Sequence, residues 1–101
     1  ADPLEAFTSE SILGSKKLHK TLNGSTWIHE YLNGEFKFTF GKSGLIENHE
    51  TWKGVRWRVI SPNEVILGSR NGSKMIFTFD DEIKTFSNVD WDGTPTSGRA
   101  K

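Results

Sequence analysis

The chain carries three histidines, His19, His29 and His49, and the nearest candidate group of metal-type donors is Glu47, His49 and Glu50. Imidazole and carboxylate oxygen are the donors a zinc-type site uses. On a strand, however, alternation sends Glu47 and His49 to one face and Glu50 to the other, so two ligands converge where three or four are needed. A solvated edge is the plainer expectation, and no metal is expected. His29 falls between Trp27 and Tyr31, which suits a core imidazole better than a general base. Asp90-Trp91-Asp92-Gly93 has the look of half a calcium loop, with more carboxylates in Asp80-Asp81-Glu82. An EF-hand would place a bidentate glutamate at its twelfth position, and counting from Asp90 that residue is Lys101. A tight turn whose aspartates cap backbone N–H groups is expected instead. With no cysteine, no nucleophile elbow, no phosphate-cradling glycine loop and no paired-acid pattern, no catalytic residue and no cofactor is assigned.

Aromatic and basic residues mix in Thr51-Trp52-Lys53-Gly54-Val55-Arg56-Trp57-Arg58-Val59. Period-two alternation turns Val55, Trp57 and Val59 inward and Arg56 and Arg58 outward beside Lys53, so most of this mixture is a strand seen from its edge. Trp52 precedes the Gly54 turn and its direction is open; Trp91 also flanks a turn. Exposed indoles beside polar groups stack on sugar rings or anchor protein interfaces. The candidate binding surface is therefore Trp52, Lys53, Arg56, Arg58 and Trp91, the alternative for Trp52 and Trp91 alike being that each closes one end of a short barrel as a lid, which is the plainer expectation for Trp91.

These residues need elements to hold them. Asp2-Pro3-Leu4-Glu5 has the form of a capping box with proline at the first helical position, and Gly14 is a plausible stop, which fits a short helix over 3–13 in an N-terminal arm, residues 1–22, helical or extended, since Leu4, Phe7, Ile12 and Leu13 make no clean stripe. The cluster Lys16, Lys17 and Lys20 reads as a solvated link. From Thr26 onward the period is two and turn residues recur, which predicts an all-β domain over 23–101: a small antiparallel meander barrel or sandwich of about 7–8 short strands. A two-residue turn at Asn33-Gly34 would pair Tyr31 with Phe36, His29 with Phe38 and Trp27 with Phe40, and set Glu30 opposite Lys37. A second at Asn71-Gly72 would pair Gly68 with Met75 and Ile66 with Phe77. A four-residue loop at 61–64 would then face Val59 to Ile66 and lay Trp57 over Gly68. A loop at Asp80–Ile83 would set Phe86 opposite Phe77, a shorter one remaining open.

Gly24, Trp27 in the first strand, the run of short strands and Arg99 near the C-terminus resemble the meander barrels grouped as calycins: lipocalins, avidins and fatty-acid-binding proteins. The spacing here is Gly-X-X-Trp where lipocalins and avidins have Gly-X-Trp. The resemblance covers residues 23–101 in pattern and implies that Arg99 packs across Trp27. The short strands, with Phe36, Phe38, Phe40, Trp57, Phe77 and Phe79 turned inward, predict a barrel nearly filled by its own side chains.

Thirteen basic and thirteen acidic residues leave a formal charge of zero, so nothing draws nucleic acid or an anionic membrane from a distance. The longest apolar run, Val65-Ile66-Leu67, is far short of the roughly 20 residues of a membrane span. Sequons at Asn23-Gly24-Ser25 and Asn71-Gly72-Ser73 would accept glycans in a secretory pathway. Together with a start at Ala1 that has no methionine, although Ala1-Asp2-Pro3 could equally be a vector remnant, they suggest a secreted or luminal protein. The expectation is a non-catalytic binding module with a protein or glycan partner. A small carrier of an apolar molecule and a minor hydrolase or enzyme accessory domain are the alternatives. The oligomeric state is not legible.

Overall fold

The computed structural model describes residues 3–31, 34–49 and 51–101, with side chains from residue 13 onward. One helix, α1 (Pro3–Leu22), precedes eight strands: β1 (Thr26–Tyr31), β2 (Gly34–Phe40), β3 (Ile46–Glu47), β4 (Arg56–Ser61), β5 (Glu64–Gly68), β6 (Lys74–Phe79), β7 (Thr85–Val89) and β8 (Pro95–Ala100). Each strand from β4 to β8 is antiparallel to the next, and β8 returns to β1, giving the order β3-β2-β1-β8-β7-β6-β5-β4. A single Leu45–Arg56 bridge, with Ile46 N–H donating to Val55 O at 2.8 Å and Trp57 N–H to Gly44 O at 3.0 Å, draws the two outer strands together. The result is an all-β, nearly closed eight-stranded meander barrel.

Alternation works as the composition suggests, because burying one face of every strand removes the aromatic side chains from water. Trp27, Phe38, Phe40, Trp57, Phe77, Phe79 and Phe86 all lie inside. Phe77 and Phe86 stack at 4.2 Å between ring centres, and Trp27 meets Phe79 edge-on at 5.2 Å. Gly98 is where β8 lets this happen: a Cβ there would collide with the Phe86 ring.

The helix is longer than predicted. It passes through Gly14 and ends at Leu22, just before Gly24 takes a left-handed φ of 83° and with Asn23 N–H closing the last turn on His19 O at 2.9 Å. Gly14 is a contact point and not a stop, since a Cβ on it would lie 2.7 Å from Pro62 Cβ in the β4–β5 turn. The proposed cap at Asp2 and the side chains of Leu4, Phe7 and Ile12 lie outside the described residues. Lys16, Lys17 and Lys20 are exposed on the helix surface, while Leu18 and Leu22 are fully buried and His19 stacks on Trp57 at 5.1 Å. The last two turns of α1 thus close one end of the barrel and share its core.

The strand registers differ from those predicted. Tyr31 pairs with Gly34, His29 with Phe36 and Trp27 with Phe38, so the pairing is shifted by two residues and the same side chains still face inward. The two residues between Tyr31 and Gly34 are Leu32 and Asn33, and they lie outside the described residues. Glu30 meets Glu35 across the ladder, not Lys37. Arg99 answers this repulsion from β8, donating Nη2 to Glu35 Oε2 at 2.6 Å and Nη1 to Glu30 Oε1, and both acids hold its guanidinium above its ordinary pKa. Arg99 is therefore on the outer surface and does not pack across Trp27, contrary to what the calycin resemblance implied.

At the second hairpin the shift is one residue, which inverts a strand. Ser69 N–H bonds Ser73 O at 2.8 Å and Gly72 sits at φ 91°, so the loop has three residues, a turn followed by a left-handed glycine. Val65 faces Phe77 and Leu67 faces Met75. Ile66, expected inside, is turned outward. β4 follows suit: Trp57 pairs with Leu67 and Val59 with Val65, with an irregularity between Val59 and Ser61. Phe86 pairs with Phe79 and not Phe77, because the β6–β7 turn is longer. There Asp80 Oδ1 accepts from Lys84 N–H at 2.7 Å and Thr85 N–H at 2.9 Å, and Ile83 takes φ 55°.

Candidate functional site

The barrel end opposite α1 is built from the adjoining ends of β1 and β2, residues 48–49 and 51–55, and the β5–β6 and β7–β8 turns. Asn48, at φ 67°, is the reason this end differs from a plain strand pattern. A left-handed residue breaks alternation, so Glu47 points out while His49 turns in and is 8% exposed. The expected pairing of Glu47 with His49 on one face is thereby overturned, and Glu50 lies outside the described residues. Among the described residues no group of three or more metal-ligating side chains comes together.

Trp52 follows His49 inward. Its indole is 5% exposed, parallel to the His49 ring at 4.0 Å and 2°, and 5.1 Å from His29. Trp91, half-buried, meets it edge-on at 6.2 Å. The Asp90–Thr94 turn that carries Trp91 has the expected form: Gly93 N–H bonds Asp90 O at 2.9 Å, Gly93 sits at φ 88°, and Asp92 Oδ1 accepts from Thr94 N–H at 3.0 Å. Tyr31 from β1 donates its hydroxyl to Asp92 Oδ2, tying this turn to the first hairpin.

Beneath the indoles the lining becomes polar. His29 is 2% exposed. Because Thr96 Oγ1 donates to Asn88 Oδ1 at 2.7 Å, the 3.0 Å contact from His29 Nε2 assigns the ring proton to Nε2, and Asn88 Nδ2 ends the chain on Met75 Sδ at 3.4 Å. His49 Nδ1 accepts from Thr51 N–H at 3.3 Å, which leaves the proton on its Nε2. His29 Nδ1, His49 Nε2 and Asp90 Oδ1 are buried with no protein partner among the described residues. Burial pushes His29 down to about 4, and burial followed by the proximity of His29 does the same to His49. Asp90, 3.9 Å from His29 Nε2, is raised by burial and then by the charge of Asp92. In all three the shift is toward the neutral form.

The predicted surface divides in two. Trp52, Lys53 and Trp91 meet on one cleft of about 370 Å3 at the mouth, together with Thr51, Ser69 and Arg70. Arg56 and Arg58 are elsewhere, on the outer face of the barrel beside a separate groove. Arg70 was missed from sequence. Its side chain lies over Gly54, whose φ of 77° and missing Cβ make room for it; the sequence signal was the glycine, which marks a close approach as well as a turn. Asn71 is exposed on the same cleft, its Oδ1 accepting from Ser73 N–H at 3.0 Å. Asn23 sits partly buried where helix meets barrel, and the Ser25 hydroxyl of its sequon donates to Leu22 O at 2.5 Å and accepts from Trp27 Nε1 at 2.8 Å.

The molecule is thus a small meander barrel, capped by a helix at one end and open at the other to a tryptophan-walled cleft with a cationic and hydroxyl fringe. No protein-family model, no curated protein and no solved structure matches the chain. No helix among the described residues is long and apolar enough to cross a membrane.

Proposed function

We propose that this chain is a non-catalytic binding module whose mouth cleft takes a sugar ring of a glycan partner. The observation that carries the reading is the meeting of Trp52 and Trp91 with Thr51, Lys53, Ser69 and Arg70 around one open space of about 370 Å3. Trp91, half-buried, supplies the open apolar surface and the buried Trp52 backs it; such a surface with hydrogen-bonding groups at its edge matches a pyranose, which has an apolar face and a rim of hydroxyls. The volume falls at the lower end of small-ligand sites, roughly 300–1,000 Å3. A secreted or luminal setting belongs to the proposal, supported by the two sequons. So does kinship with calycin-like barrels, supported by the eight-stranded meander and not by Arg99.

The test uses protein from a bacterial host, so that Asn71 carries no glycan, and saturation-transfer NMR with a panel of neutral, amino and acidic oligosaccharides. At least one should bind, with ring protons closest to the protein. Trp91→Ala and Lys53→Ala should each weaken it about tenfold, near 1.4 kcal/mol, with melting unchanged in Lys53→Ala and the Trp91→Ala protein still folded although less stable, since Trp91 packs against the core. A panel without binders, or a binder indifferent to both substitutions, overturns the reading.

A further inference from the structure

We propose a second site on the barrel's outer face, a notch over Gly68 that docks an extended acidic peptide segment of a protein partner. The register places Arg56, Gly68 and Lys74 in one row across β4, β5 and β6. Strands lie about 4.8 Å apart, so the two cations stand on either side of the glycine with their backbones about 10 Å apart. Gly68 has no side chain, and a Cβ built on it meets nothing within 4 Å. Arg58 stands one pleat along, about 7 Å away, in the row Arg58, Ile66, Ile76. These groups, with Ile66 as the apolar side, border an open groove of about 390 Å3.

Charge complementarity identifies the occupant. Among the described residues Arg56, Arg58 and Lys74 have no carboxylate within 4.0 Å, although the chain as a whole is neutral. Glu64, farther along β5, accepts instead from Ser61 Oγ at 2.9 Å. Two carboxylates spaced as on an extended chain would reach Arg58 and the Arg56–Lys74 pair, and each guanidinium can grip one with two N–H donors. Ile76 and Ile60, 41% and 42% exposed on the same face, add apolar contacts that a peptide side chain can meet and a nucleic acid backbone cannot. The notch is recessed between two long side chains, which suits a strand better than a flat lipid surface.

The test is independent of the mouth. A synthetic peptide alternating glutamate and valine is titrated into labelled protein, with a lysine–valine peptide and vesicles of phosphatidylcholine and phosphatidylserine as comparisons. The acidic peptide should shift the amides of Ile66, Gly68 and Lys74, and binding should weaken about tenfold from 50 to 500 mM NaCl as the charges are screened. Gly68→Leu, which fills the notch, and Arg56→Ala with Lys74→Ala should each abolish the shifts while melting stays unchanged. No binding, binding that survives both variants, or binding to vesicles alone overturns the proposal. A null result with sugars leaves it untouched.

Discussion

Acid should loosen the mouth before it touches the rest of the barrel, and the size of the effect follows from two rings. His29 and His49 are held at about 4 in the fold, whereas an unfolded chain protonates each near 6.5. The folded values are depressed, so stability is intact above about pH 6.5, falls as pH drops through that value, and stops falling below about 4. At pH 5 proton linkage gives a loss of about 2 kcal/mol per ring, and halving it for solvent reaching the mouth leaves ~2 kcal/mol for the pair. Asp90, raised by burial, works weakly in the other direction. Asp80 and Asp92 are held below 3.8 by hydrogen bonds, first from Thr85 N–H and from the Tyr31 hydroxyl respectively, so their own losses come at lower pH. Urea unfolding followed by tryptophan fluorescence reads the effect. With a slope of roughly 1–2 kcal/mol per molar, the midpoint should fall by ~1–2 M between pH 7.5 and 5.0. His49→Phe keeps a flat ring against Trp52 and removes one titrating group, so it should show about half that drop. An unchanged wild-type midpoint, or the same drop in His49→Phe, would refute the reasoning.

Two further substitutions test the packing. Gly98→Ala drives a methyl into the Phe86 ring and should cost about 1–3 kcal/mol or more by chemical denaturation, a loss partly recovered when combined with Phe86→Leu. Leu18→Ala removes a fully buried side chain where α1 seals the barrel and should cost about 2–5 kcal/mol, whereas Lys17→Ala, exposed one residue earlier, should leave the midpoint within about 0.5 kcal/mol.

What sequence revealed depended on whether an error changed parity. The β1–β2 register was wrong by two residues, yet Trp27, His29 and Phe38 still faced inward, because side-chain direction repeats every two residues. The β5–β6 register was wrong by one, and Ile66 and Leu67 exchanged places. Asn-Gly signals a turn strongly, but whether the glycine occupies a two-residue or a three-residue loop depends on the twist of the flanking strands. Gly14 misled for a related reason: a glycine that ends a helix and one that lets a helix touch a neighbour look alike until the neighbour, Pro62, is placed. The outward direction of Arg56 and Arg58 was legible from alternation alone. The burial of Trp52 was not, since it depends on the left-handed turn at Asn48, and neither was the divorce of the mouth cleft from the arginine face, which is a matter of curvature.

The pairing of β1 with β8 sets Trp27 opposite Ala100, and among the described residues no other strand pairing spans so much sequence. Every other ladder joins neighbours along the chain and can zip from a local turn. This one must wait until nearly all of the barrel has formed, because closing a long loop costs entropy that only its contacts repay. Folding should accordingly show a fast phase in which hairpins form and a slower one in which Trp27 becomes buried. Until that second step, the lateral edges of β1 and of its partner strand stand open to pairing with another molecule. Aggregation during refolding should therefore compete with the last event of folding and not with the first.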